Sequence, residues 1–385
     1  MKTKAQSILR FIPLLAVVAL APSTANAADM YVYFGTHVSG AGKGFSLSHF
    51  DTDTGVLTKP QYLLDAEAPA FFVIHPDGKH LYTCNSINTF EGKPEGSISA
   101  YSIDSKTGKL TLLNRKPAGG ADPSYITLDK TSRYALVANY QGGNIAVLAI
   151  KPDGSLGERT AFAQHTGSSV NPQRQTRPFA HSIIVDPSNR FALVADLGVD
   201  KLFVYRFNEK DGSLAPNDPP FAAVKPGSGP RHVKFHPNGK WVYLINEIGS
   251  TVTGFNWNAM KGSLTEFQTV STLPEGFTGT NTCAELEIHP NGKFLYGSNR
   301  GHDSIVVFAV DQATGKLRLV ERVSSQGKWP RNFAFDPTGK WILCTNHNSN
   351  NAVVFRVDET TGKLTPTGQP VEVPYPFCER FLPVP

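Results

Sequence analysis

The chain has 385 residues with 37 Lys and Arg against 32 Asp and Glu, 40% hydrophobic and 18% charged residues, and a mean hydropathy of -0.22. That is enough apolar material for a full core and too little charge for a disordered chain. Gly 34 and Pro 28 argue against a helical bundle and for many short strands. Lys2, Lys4 and Arg10 account for three of the five net positive charges, so no nucleic-acid-scale basic patch is expected.

The first elements in chain order are those three basic residues, an uncharged run from Phe11 to Ala21, and Ala25-Asn26-Ala27. Basic, apolar and small-residue regions in that order predict a secretory signal over 1–27, cleaved after Ala27. The run is about half of the roughly 20 apolar residues a membrane span needs. The mature chain, 28–385, is therefore expected to be one domain in the periplasm or secreted, with no membrane association. Cys84, Cys283, Cys344 and Cys378 all fall in apolar strand-like stretches and form no C-x-x-C pair, which predicts buried free thiols.

An internal repeat follows. A Gly-x-Leu turn preceded by an apolar strand recurs as Gly55/Leu57, Gly108/Leu110, Gly154/Leu156, Gly212/Leu214, Gly262/Leu264, Gly315/Leu317 and Gly362/Leu364, at intervals of 46 to 58 residues. A second element, His75-Pro76-Asp77-Gly78-Lys79, returns at His236, His289 and Asp336, with weaker copies at Asp129 and Asp186. Each unit reads as four short strands, and seven such units predict an all-β, seven-bladed β-propeller. The first unit lacks its innermost strand, while 376–383 follows the last unit. The C-terminal strand is therefore expected to complete the N-terminal blade. His75, His236 and His289 recur in turns, which favours a structural role over metal ligation.

The repeat frame also places residues together. Six positions before each turn proline, or its equivalent Lys130, stand Ala70, Ser124, His181, Arg231, Ala284, Arg331 and Phe377. Ten positions after it stand Ser86, Tyr140, Leu197, Glu247, Arg300 and His347. Strand starts and antiparallel strand ends meet at one face, so His181, Arg231, Glu247, Arg300, Arg331 and His347 are expected at the mouth of a central channel. His232 and Glu285 are further candidates, and the polar loop from Gln164 to Arg177 is placed to overhang the site. Asn85, Asn139, Asp196, Asn246, Asn299 and Asn346 precede the second set and are read either as part of the mouth or as turn caps. Guanidiniums beside a carboxylate and a histidine suit a small anionic or oxygen-rich ligand. No metal spacing, phosphate loop or nucleophile elbow is present, so no cofactor is expected.

Ser298-Asn299-Arg300-Gly301-His302-Asp303-Ser304-Ile305, Gly229-Pro230-Arg231-His232 and Ala284-Glu285 before His289-Pro290 resemble the propeller lactonase family, which includes bacterial 6-phosphogluconolactonases and fungal carboxymuconate cyclases. The resemblance implies metal-free opening or closing of a lactone, with catalytic roles on His181, Arg231, Glu247 and Arg300. It also places Arg174-Gln175 in the family's Arg-Gln loop. Phe179 stands where many members carry a further histidine. Three readings follow: hydrolysis of a sugar-acid lactone, with Glu247 activating water and His181 protonating the leaving oxygen or the reverse; a lactone-forming cycloisomerase; and a non-catalytic ligand-binding propeller.

Overall fold

The computed structural model describes residues 29–40 and 42–385, so the expected signal segment lies outside the described residues. Seven four-stranded antiparallel sheets form the ring: blade 2 spans 69–117, blade 3 123–164, blade 4 180–223, blade 5 230–271, blade 6 282–324 and blade 7 330–372. Among the described residues the only helical element is a 3₁₀ turn, His347–Ser349, and no helix is long and apolar enough to cross a membrane.

Strand periodicity explains why the blades stack. In Trp241–Asn246 every residue is buried, because alternate side chains serve opposite neighbours. Val242 and Leu244 pack with Leu193 and Val204 of blade 4, while Trp241, Tyr243 and Ile245 pack with Leu286, Leu295 and Phe308 of blade 6. The hydrophobic core is thus a series of layers between blades. The four cysteines lie within it as buried, free thiols.

The Gly-x-Leu turn locks each layer. Gly315 has φ +74°, and a Cβ on it would lie 2.6 Å from the Trp241 ring of the preceding blade. Glycine is required on both counts. Tyr243 Oη of that preceding blade donates to Gly315 O at 2.6 Å, and Tyr33, Tyr82 and Tyr296 repeat the bond to Gly108, Gly154 and Gly362 at 2.8–2.9 Å. The His-Pro turns add a second set of ties, His236 Nε2 to Gly292 O and His289 Nε2 to Gly339 O.

Closure occurs as the termini imply. Pro376–Pro383 pairs antiparallel with Asp29–Thr36 and becomes the innermost strand of blade 1. Across the blade 7 to blade 1 seam, the Trp341 ring seats Gly55 and its Nε1–H donates to Thr52 O at 2.8 Å. Trp341→Ala removes both the ring and the bond, and a loss of about 3–5 kcal/mol is expected in denaturant unfolding. Trp341→Phe should recover all but about 1 kcal/mol of it. Stability within 1 kcal/mol of the parent for Trp341→Ala would show that the seam does not depend on this residue.

Candidate active site

Six of the seven inner strands carry a one-residue β-bulge near the start, and in blade 6 the register skips Ala284 and Glu285 against Ser298, which the sequence does not announce. The pairing register passes from Pro230 to His232 in blade 5, from Ala180 to Ser182 in blade 4 and from Pro330 to Asn332 in blade 7, leaving Arg231, His181 and Arg331 unpaired. Ala70, Ser124 and Phe377 occupy the same skip in their strands. A bulge re-aims the extra side chain, and here Ala70, Ser124, His181, Arg331 and Phe377 of the first ring line the channel mouth, while Arg231 stays buried behind it. The second ring follows the end of each second strand, and Glu247 is anchored there by its N–H to Gly229 O at 2.7 Å. Together they line a cavity of about 410 Å³ with His181, Glu247, Arg300, Arg331, His347 and Tyr140.

Glu247 is the centre of the charged cluster. It is 5% exposed, and its Oε1 accepts Arg174 Nη2 at 2.6 Å, while Oε2 lies 3.1 Å from Arg231 Nε and 3.0 Å from Arg300 Nη2. Burial opposes the charge, but Arg300, Arg231, His181 and Arg174 hold its carboxyl well below the usual carboxylate range. Backbone carbonyls accept further guanidinium hydrogens: Arg231 Nη1 donates to Ala284 O at 2.6 Å and Arg300 Nη2 to Cys283 O at 2.8 Å. Arg300 also lies over the Trp329 ring at 5.3 Å.

His181 sits beside this cluster without joining it. Its Nε2 is 3.8 Å from Glu247 Oε2, beyond a hydrogen bond, and its buried Nδ1 has no partner. Its ring meets Tyr140 and His232 edge-on. Burial, then the Arg231 and His232 charges, pull its pKa well below the ordinary imidazole value, so it is neutral near pH 7.

The opposite wall is different. Arg331 lies over the Phe377 ring at 3.6 Å and, among the described residues, forms no hydrogen bond or ion pair. Burial and the Arg231 and Arg300 charges lower its pKa. His37 stacks on Phe377 at 4.5 Å, and burial with the Arg331 charge pushes its pKa down to about 4. His347 Nδ1 donates to Pro376 O at 3.1 Å. Asp122 accepts the Ser86 hydroxyl at the same wall.

Four sequence-derived candidates do not line the cavity, and Arg231, expected at the mouth, is the first: it is buried, with its guanidinium turned to Glu247 and Ala284 O. Gln175 is fully buried, donating to Leu197 O at 2.8 Å and accepting Asn171 N–H, so it fixes the loop that presents Arg174. His232 and Glu285 lie beneath the mouth. His232 Nε2 accepts Arg231 Nη1 at 3.1 Å, which leaves Nδ1 to donate to Glu285 Oε1 at 2.8 Å. Glu285 also accepts Asn332 Nδ2 and the Leu286 N–H. His232 is one residue past its bulge, and Glu285 lies within the register skip of blade 6. The asparagines are caps: Asn246 donates to Thr251 and Thr253, and Asn85 to Ser97 and Ser99. Asp196 instead pairs with buried His165 at 2.6 Å.

Four lining residues escaped the sequence reading. Asp122, Thr282 and Trp329 occupy one further ring, two places before the bulged residues, and the same repeat frame identifies them once it is shifted. His37 is the seventh member of the second ring. Thr36 pairs with Pro376 as Asn85 pairs with Pro69, but the two halves of blade 1 lie at opposite ends of the chain.

Residues 31–381 match the family described as Lactonase, 7-bladed beta-propeller. The chain is 37% identical over 350 residues to a 6-phosphogluconolactonase of Bacillus subtilis, covering 91% of this chain and 97% of that protein. It is 33% identical over 302 residues to a 6-phosphogluconolactonase of Formosa agariphila, covering 77% and 83%. The periplasmic gluconolactonase of Pseudomonas aeruginosa superposes with a TM-score of 0.87 at 34% identity, covering 93% of this chain and all of that one, 100%.

Removing the central carboxylate tests the cluster. Glu247→Gln leaves two buried guanidiniums without a counter-charge, and a loss of about 3–5 kcal/mol is expected. Arg174→Ala, whose side chain is 39% exposed, should cost less than about 1 kcal/mol. Because Glu247 has a depressed pKa, its contribution is full above its unfolded pKa of about 4.3 and is lost as pH falls through the folded value. Acid unfolding profiles of the two variants should therefore differ in that window only for Glu247→Gln.

Proposed function

The chain belongs to the seven-bladed β-propeller lactonase family, and from that membership we propose that it is an exported, metal-independent lactonase that opens a sugar-acid lactone in the channel-mouth cavity. The observation that carries the mechanism is one carboxylate shared by three guanidiniums with a neutral imidazole 3.8 Å away. Both Glu247 oxygens are taken by guanidiniums, so Glu247 orients Arg231, Arg300 and Arg174, while the His181 ring nitrogens are unbonded. His181 takes the base role first assigned to Glu247. It removes a proton from water as the water oxygen bonds to the lactone carbonyl carbon. The Arg300 and Arg174 guanidiniums, which line the cavity, stabilise the oxyanion. The ring C–O bond then breaks, and the alkoxide oxygen takes the proton back from His181, leaving a hydroxyl and a carboxylic acid that releases its proton to solvent as the carboxylate.

Export is supported by the basic, apolar and small-residue order over 1–27 and by the likeness to a periplasmic gluconolactonase. Metal independence is supported by the donor set. Both Glu247 oxygens are engaged by guanidiniums, and among the described residues no three His, Cys, Asp or Glu ligand atoms converge at this mouth.

A second reading of the substrate rests on Arg331. An unpaired guanidinium on the wall opposite Glu247 suits an anionic substituent, such as the phosphate implied by the names of the Bacillus and Formosa relatives.

Purified protein is expected to open glucono-1,5-lactone faster than buffer in the presence of EDTA, with His181→Ala lowering kcat by about 10²–10⁴-fold. A protein inert over an aldonolactone panel overturns the reading, and loss of turnover in EDTA restored by calcium overturns its metal independence. Since His181 is neutral well below its ordinary pKa, the rate corrected for spontaneous hydrolysis should stay level from pH 7.5 through about 6.5, with the acid limb lower. An inflection at the ordinary imidazole pKa would remove His181 as the base. Arg331→Ala should raise KM for a 6-phosphorylated aldonolactone by about 10–100-fold and leave glucono-1,5-lactone unchanged. Equal losses on both substrates would show that Arg331 does not read charge.

A further inference from the structure

The hairpin turns between inner and second strands lie at the far end of the ring, about 20 Å along a six-residue strand from the mouth. In blades 5 and 6 the turn begins with His236 or His289. Nδ1 of each accepts the N–H of Asn238 (3.2 Å) or Asn291 (3.1 Å), and Nε2 bonds a carbonyl of the next blade, at 2.7 and 3.0 Å. Both ring nitrogens are spent within the protein. The next strand then opens with Trp241 or Phe294, whose ring seats the next blade's turn glycine.

Blade 2 departs from its sister turns at three points. His75 Nδ1 lies 3.2 Å from Asp77 N, as in the sisters, but among the described residues its Nε2 bonds no carbonyl. Asp77 stands in place of asparagine, and His80 in place of the aromatic residue. Asp77 Oδ1 is 3.0 Å from His75 Nδ1, and Oδ2 is 2.8 Å from His80 Nδ1. His75 Nδ1 has one lone pair, and an ion seated between it and the Asp77 carboxylate takes that lone pair in place of the long 3.2 Å contact with the Asp77 N–H. One ligating atom from each of the three residues lies within 4.8 Å of the others. The side chains are 18–33% exposed and border a cavity of about 300 Å³.

We propose that His75, Asp77 and His80 form a binding site for a divalent transition-metal ion of the zinc, nickel or copper type. Two imidazoles and one carboxylate match the preference of those ions, whereas calcium and magnesium need more oxygen ligands. Lys151 and Arg133 border the cavity, and Arg133 is directed away, to Glu209 O at 2.6 Å. Water completes the coordination. The ion ties the end of the inner strand to the start of the second strand and plays no part at the mouth, so a chelator that strips it leaves turnover intact.

The test is calorimetric titration of the chelator-treated full chain with zinc chloride and with nickel chloride. The parent should bind one ion per chain in the micromolar range, with a raised Tm. Asp77→Asn and His80→Phe restore the residues of the sister turns, so both should fold normally and bind at least tenfold more weakly. Absence of saturable binding of either ion up to millimolar concentration, or equal affinity in the parent and both variants, overturns the site. Lactone turnover of the variants should equal the parent's, and a loss would overturn the assignment of this turn as separate from the mouth.

Discussion

A four-stranded blade has two apolar faces and cannot bury either one alone, and everything else in this protein depends on that constraint. Trp241–Asn246 is buried at all six positions only because blade 4 covers one face and blade 6 the other. Seven blades satisfy the requirement by closing on themselves, with the last seam held by Trp341 under Gly55 and by pairing of the two chain ends. The turn glycine sets the spacing, since any side chain there would strike the aromatic ring of the preceding blade.

A rigid ring makes an otherwise costly charge arrangement tenable. Burying two guanidiniums against one carboxylate is expensive unless every group is held and hydrogen-bonded. The bulged inner strands and the second-strand ends hold them, with backbone carbonyls of Ala284 and Cys283 taking the spare hydrogens. The cavity is floored where His232 meets Tyr125 at 5.0 Å and Phe71 at 5.9 Å, with Phe71 and Tyr125 stacked at 4.2 Å.

Much of the site was legible because a repeat is a coordinate system. Counting from the turn proline placed His181, Arg331 and His347 on one face with no knowledge of their distances. The same count, two residues earlier, reaches Asp122, Thr282 and Trp329, which were overlooked because alternating strands give no reason to look past the strand's first residue. Gln175 is a candidate only through the resemblance of Arg174-Gln175 to the family's Arg-Gln loop, yet adjacent residues in a loop point different ways, and the glutamine amide is consumed by Leu197 O and Asn171 N–H. His37 stayed hidden because its blade is assembled from both ends of the chain.

Period, strand pattern and turn chemistry are local properties, and the sequence by itself determined them: seven blades, a C-terminal strand completing the first, and an arginine-rich mouth. Which arginine has a partner is not local. Arg231 and Arg300 share Glu247, while Arg331, in the same frame position as Arg231, faces Phe377 and has no carboxylate. The same holds for His181, whose free nitrogen is set by a separation of 3.8 Å between residues of two blades. Electrostatic coupling falls off over a few ångströms, and only the closed ring decides which side chains come within that range.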